Sequence, residues 1–132
     1  MQIIERKPRV LVVEDHAFLR RLMSAALSET CEVYAAATVK KGWQLYLHHA
    51  PDIVFLDIQL PDGNGHELAR RIKERQPYAY VVMATSSSEA DDIEEAKNNL
   101  ADGFMIKPFH KTAIHSHIRN ATISENGNSF NN

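Results

Sequence analysis

Residues Ile53, Val54, Phe55 and Leu56 form an unbroken apolar run that stops at a single carboxylate, Asp57. A run this short, rich in β-formers and bounded by turn residues, has the character of a strand buried on both faces. Pro51 and Asp52 lead into it, and Pro61, Asp62, Gly63, Asn64 and Gly65 supply a loop after it. Asp57 then falls at the C-terminal end of a buried strand, on the rim where open α/β sheets bind ligands. Taken alone, a polar residue that merely closes a strand is the plainer explanation, so the rest of the chain decides.

Four further segments have the same strand character. Arg9–Val13 (RVLVV) runs directly into Glu14 and Asp15, and Cys31–Ala36 is a shorter and more alanine-rich candidate. Tyr80–Ala84 (YVVMA) ends at Thr85 and three serines, and Gly103–Ile106 is followed at once by Lys107 and Pro108. Between them lie amphipathic helices. Leu19, Leu22, Met23, Ala26 and Leu27 recur at helical spacing, as do Val39, Trp43, Tyr46 and Leu47, with Thr38 as the cap. Leu68 and Ile72 face inward on a third helix whose Arg70, Arg71, Lys73, Glu74 and Arg75 form the solvated side. Ser88 with Asp91 caps a fourth helix that turns Ile93, Ala96 and Leu100 inward, and Ile114, Ile118 and Ala121 mark the fifth. Five strand–helix pairs in strict alternation predict a parallel sheet with helices on both faces.

The chain has 132 residues, enough for one domain with a real core. Residues 1–122 are expected to form that domain, and the Asn-rich stretch 123–132 a polar tail or linker without regular structure. With 15 basic and 17 acidic side chains, the chain has no basic footprint for direct nucleic-acid binding. No apolar run approaches the roughly 20 residues that cross a membrane. The N-terminus lacks a signal-peptide core and Cys31 has no partner for a disulfide, so a cytoplasmic location is expected.

A parallel sheet presents every strand's C-terminal end on one rim. The ends here carry Glu14 and Asp15, Asp57, Thr85, and Lys107. Converging carboxylates without a cation raise one another's pKa, and a divalent metal removes that conflict. Magnesium prefers oxygen ligands and takes one or two carboxylates, waters and a phosphate. Asp57 suits the role of nucleophile in an aspartyl-phosphate, with Lys107 neutralising charge on the transferring group and Thr85 donating a hydrogen bond to a phosphoryl oxygen.

With these residues in place the sequence resembles the receiver domains of two-component signalling, the response-regulator family. Glu14-Asp15 match the family's acidic pair, Asp57 the phosphoacceptor, Thr85 the switch hydroxyl and Lys107-Pro108-Phe109 the lysine motif. Leu60-Pro61-Asp62-Gly63 resembles the turn after the acceptor, and the likeness extends from about Arg9 to Ala121. It implies a flavodoxin-like, doubly wound α/β fold, a five-stranded parallel sheet in the order 2-1-3-4-5 with five helices. It implies magnesium as cofactor, with manganese as an alternative: Asp15 and Asp57 as direct ligands, Glu14 acting through water, and the Gln59 backbone carbonyl completing the shell. It also implies a cis Lys107–Pro108 bond and an aromatic switch at Phe104 coupled to Thr85. The partners implied are a sensor histidine kinase or phosphotransfer protein and a downstream effector domain or protein. The responding surface would be the last two helices and the strand between them, which is also a route to a homodimer. A chain of this kind is a signalling switch that promotes its own phosphorylation and dephosphorylation rather than an enzyme acting on other substrates. Gln59 and Ser87 occupy the positions expected to tune the lifetime of the phosphorylated state.

Two positions depart from the family pattern. Leu100 stands where receivers often have glycine, which shifts the expected left-handed cap to Asn98 or Asn99. Phe104 lacks the hydroxyl of the tyrosine found in some relatives, so its switching would work through packing.

Other functions fit less well. A haloacid-dehalogenase-like phosphatase needs a second acid two residues after its nucleophile, where this chain has Gln59. A nucleotide-binding domain needs a glycine-rich loop where Val13 leads into Glu14-Asp15-His16. A receiver-like scaffold that takes no phosphate is disfavoured because every reactive position is filled. The histidines do not make a metal site: His115 and His117 are two apart on a helix, His48 and His49 are adjacent, and surface roles are expected for them. His16 is best read as the cap of the first helix, Trp43 and Tyr46 as core, and Cys31 as inert.

Overall fold

A computed structural model describes residues 6–86, 90–98 and 101–131. The chain runs β1 (Arg9–Val13), α1 (Ala17–Ser28), β2 (Glu32–Ala36), α2 (Val39–His49) and β3 (Ile53–Asp57). Two short strands follow, β4 (Gln59–Leu60) and β5 (Gly63–Asn64), and then α3 (Gly65–Arg75), β6 (Tyr80–Thr85), α4 (Ala90–Asn98), β7 (Gly103–Ile106) and α5 (Lys111–Asn131). The main sheet is parallel throughout, in the order β2-β1-β3-β6-β7. Counting only its five strands in sequence, this is the expected 2-1-3-4-5 order. Parallel neighbours cannot be joined by a tight turn, so each crossover is made by a helix.

The period of two along the strands sorts the core into two layers. Val10, Val12 and Phe55 face α1 and α5 and pack with Met23, Leu27, Ile114 and Ala121. Leu11, Val13, Val54 and Leu56 point the other way, against Tyr46 of α2, Leu68 and Ile72 of α3 and Ala96 of α4. Because β1 and β3 are central, both of their faces are covered, which explains their near-continuous apolar runs. Each fully buried Leu or Val in these layers stabilises the fold by roughly 1.5–3 kcal/mol relative to exposure.

The local signals at the helix ends hold. His16 Nδ1 accepts the Leu19 N–H (3.3 Å) at the start of α1, and Thr38 Oγ1 accepts that of Lys41 (3.1 Å) at the start of α2. Ala50 closes α2 before Pro51 in the left-handed conformation, with φ 47°.

Several expectations are corrected. The loop after Asp57 contains a small antiparallel ribbon, with Gln59 paired to Asn64 and Leu60 to Gly63. Leu22 and Leu47 lie on the exposed sides of their helices, because the sheet captures only the narrower stripes around Met23–Leu27 and Gly42–Tyr46. Lys73 is buried, its charge met at 2.6 Å by Asp102, which also accepts the Val81 N–H (2.9 Å). His117 does not point to solvent: its ring meets Phe55 edge-on, and its buried Nδ1 has no hydrogen-bond partner among the described residues. The backbone of α5 stays helical to Asn131, past Ala121 where the apolar stripe ends and into the stretch expected to be irregular. Propagating a nucleated helix needs only one hydrogen bond per added residue, and no proline interrupts this one. The Ser88 cap, the inward packing of Leu100 and a cap at Asn99 fall outside the described residues, and Asn98 is the last residue of α4.

Candidate functional site

The sheet order reverses between β1 and β3: α1, which follows β1, packs on one face, and α3, which follows β3, packs on the other. Such a switch point opens a crevice at the strands' C-terminal ends. Glu14 continues β1 into that crevice and is fixed there by its N–H to the Ala36 carbonyl (2.9 Å). Asp57 is the last residue of β3, opposite Ala84, and the Ile58 N–H extends the ladder to the Ala84 carbonyl (3.2 Å). Lys107 follows β7 and is held by its N–H to the Thr85 carbonyl (2.7 Å), with a cis bond to Pro108 as expected. These backbone bonds aim three long or charged side chains at one point.

There the Lys107 Nζ lies 2.7 Å from Glu14 Oε1 and 3.2 Å from Asp57 Oδ2. Glu14 and Asp57 are both buried, at 2% and 7% exposure, while Asp15 lies exposed at the mouth. The second Glu14 oxygen accepts the His16 N–H (3.0 Å), and Arg20 Nη1 donates to the Glu14 carbonyl (2.9 Å), so the turn after β1 is braced from α1. One ammonium faces two buried carboxylates. Burial and then the neighbouring Glu14 charge push the Asp57 carboxyl up to about 6, against the opposing pull of Lys107. Burial alone would lower Lys107, but its bonds and attraction to Glu14 and Asp57 outweigh that and hold it above the ordinary lysine value.

Glu14, Asp15 and Asp57 each offer an oxygen within 4.8 Å of the others. An all-oxygen donor set with excess negative charge fits a hard divalent cation such as magnesium. Thr85 ends β6, buried, one strand over from Asp57 and in register with Ile106. Phe104 lies in β7 opposite Met83, half-buried against the α2–α3–α4 layer. Gln59 begins the β4–β5 ribbon with its side chain exposed. Ser87 lies outside the described residues.

Two contributions were not singled out from the sequence. Gly65, read only as a loop residue, sits against the strand of Asp57: its N–H bonds the Ile58 carbonyl (2.7 Å), and a Cβ there would drive into the Asp57 carbonyl. Asp62, also read as part of the turn, reaches α2. Its carboxylate accepts the N–H groups of Val39 (2.7 Å) and Lys40 (3.0 Å). A sequence gives no sign of a cap contributed from more than 20 residues away.

A doubly wound α/β protein with a lysine-bridged carboxylate cluster at its switch point is the class these observations define. The family model of the response regulator receiver domain matches residues 10–119, and the chain belongs to that family. It is 33% identical over 107 residues to a chemotaxis protein CheY of Halobacterium salinarum, across 80% of this chain and 89% of that protein. It is also 33% identical over 111 residues to the KDP operon transcriptional regulatory protein KdpE of Escherichia coli, across 83% of this chain but 49% of that one. The chain thus spans about half the length of that regulator. Among solved structures, the non-phosphorylated HemR receiver domain from Leptospira biflexa superposes with a TM-score of 0.80 at 31% identity, covering 87% of this chain and 94% of that one. A CheY-like receiver domain protein from Methanospirillum hungatei gives 0.88 at 24% identity over 92% and 99%, a likeness of fold alone.

Proposed function

We propose that this receiver domain accepts a phosphoryl group on Asp57 from a histidine kinase or a phosphotransfer histidine, in a magnesium-dependent step. The observation that carries this reading is the Lys107 ammonium shared between two buried carboxylates at adjacent strand ends. An Asp57 oxygen attacks phosphorus, the bond from phosphorus to the donor's imidazole nitrogen breaks, and the imidazole leaves with that electron pair. Lys107 remains beside the acceptor and stabilises charge on the transferred group, and the Thr85 hydroxyl donates to one of its oxygens. Asp15, Asp57 and the Gln59 carbonyl would hold magnesium, with Glu14 assisting through water, and the ion supplies positive charge to the phosphoryl oxygens. Loss of the phosphoryl group to water, at a rate tuned by Gln59 and Ser87, resets the switch.

The new charge draws Thr85 toward the phosphoryl group, and Phe104 repacks in response. This biases the face formed by α4, β7 and α5 toward a downstream effector or a second copy of the chain. Residues 1–122 make up the receiver and 123–132 a polar extension. The location proposed is cytoplasmic; among the described residues no helix is long and apolar enough to cross a membrane.

The test is intact-protein mass after incubation with acetyl phosphate, with and without magnesium, beside Asp57→Asn. One added phosphoryl group that requires both the metal and Asp57 is expected. A folded protein that binds magnesium yet shows no adduct, and gives no response to fluoroberyllate, would overturn the reading.

A further inference from the structure

The turn Pro61-Asp62 sits at the tip of the β4–β5 ribbon, whose first residue is Gln59. An exposed two-residue ribbon has little stability of its own. This one is tied down at both ends. At its base the Asn64 Oδ1 accepts the His66 N–H (2.7 Å) to begin α3, and Gly65 bonds back to Ile58. At its tip the Asp62 carboxylate accepts the N–H groups of Val39 and Lys40, and a Cβ added at Gly63 would touch the Val39 side chain. Thr38 takes the next N–H, that of Lys41. The first turn of α2 is therefore capped twice, once from within and once from the ribbon.

The helix holding the tip is itself well fixed. Gly42 packs so closely on Val13 that a Cβ would lie 2.9 Å from the valine Cγ2, and Tyr46 is buried with its hydroxyl on Gln76 (2.6 Å). Val13 immediately precedes Glu14. Through α2 the ribbon is thus referenced to the strand that delivers the acidic pair. A carboxylate that merely stabilised α2 would be redundant with Thr38, whereas one that joins the ribbon to α2 has no substitute among the described residues.

We propose that Asp62 is a positioning residue for the metal site: by strapping the β4–β5 ribbon to the N-terminus of α2 it sets where the Gln59 carbonyl stands relative to Glu14, Asp15 and Asp57. The inference rests on the magnesium reading above, in which Gln59 is a backbone ligand. Residues that orient metal ligands typically change affinity by one to two orders of magnitude when removed. Asp62→Ala is therefore expected to weaken magnesium binding about 10-fold, and Asp62→Asn, which keeps one acceptor oxygen, by less.

Thr38→Ala is the control, because it removes a cap from the same helix without touching the ribbon. It is expected to lower the melting temperature while leaving magnesium affinity unchanged. The experiment is calorimetric titration of the full chain and these variants with magnesium chloride, together with amide hydrogen exchange of the metal-free proteins. Exchange at Leu60 and Gly63 should accelerate in Asp62→Ala and stay at the wild-type rate in Thr38→Ala. Equal magnesium affinities for wild type and Asp62→Ala, or equal losses in Asp62→Ala and Thr38→Ala, would overturn the proposal and leave Asp62 as a helix cap. If the wild-type chain itself binds no magnesium, the metal reading fails. The positioning role fails with it, and amide exchange then reports only whether the strap orders the ribbon.

Discussion

Asp57 shows how the site sets function against stability in a single residue. Its carboxyl is raised to about 6, first by burial and then by Glu14, so the folded chain holds that proton more tightly than the unfolded chain does. Between the unfolded value of 3.8 and about 6, the native state therefore binds more protons, and stability falls as pH rises through that window. Above it the loss is complete. Asp57→Asn removes the charge but also takes a partner from Lys107, so its net gain at pH 7 is expected to be about 1 kcal/mol, smaller than the full linkage value. The gain should disappear near pH 4 and shrink when magnesium is added to the wild type. Thermal melts in a chelator across pH 4–8 check this. A variant less stable than wild type at neutral pH would mean that the Lys107 bridge outweighs the desolvation of Asp57.

At the level of elements, the sequence is most legible in the strands. β1, β3 and β7 match their expected spans because short β-rich runs bounded by turn residues have no competing helical period. The strand ends are legible for the same reason, and Glu14, Asp15, Asp57 and Lys107, which the sequence puts on one rim, do converge. The helices were harder, since spacing reveals a stripe but not how much of it the sheet covers. Leu22 therefore lies exposed while Lys73 is buried, its charge met by Asp102 from beyond α4. His117 is the sharpest case. Two residues from His115, on a different side of the helix, it makes no ligand set and is expected at the surface, but the missing side chain at Gly103 makes room for the imidazole. A Cβ on Gly103 would lie 2.7 Å from His117 Cε1 and 2.8 Å from its Nδ1. Gly103→Ala is thus expected to destabilise the chain by about 1–3 kcal/mol, and His117→Ala to remove most of that penalty in a double-mutant cycle. Additive effects would show that the two residues are not in contact. Burial also holds the His117 pKa below its ordinary value. Its neutral form therefore contributes stability above about 6.5, lost as pH falls through the lower folded pKa. His117→Gln should flatten that part of the acid limb.

Across the whole molecule, the parallel order joins Asp57 to the face of α4, β7 and α5 that the proposed function makes the responding surface. Asp57 pairs with β6 through Ala84, β6 pairs with β7 through Thr85 and Ile106, and β7 leads to Lys107 and then α5. On the proposed reading, a change at the pocket has two strands of sheet to cross before α5. What α5 would need in order to respond is its packing on the sheet. Ile114, Ile118 and Ala121 contribute to the α1–α5 layer, whereas the sequence from Ser124 onward is polar and rich in asparagine. The helix propensity of asparagine, serine and glycine, which recur there, is weak. Ending the chain at Thr122 is therefore expected to shift the melting temperature by no more than about 2 °C, which for a domain of this size is well under 1 kcal/mol. The rate and extent of acetyl-phosphate labelling should be unchanged. If the shortened chain melted far lower, the last ten residues would belong to the folded unit rather than extend from it. If it melted alike but no longer bound its effector, those residues would be part of the output surface, and α5 would transmit the switch along its full length.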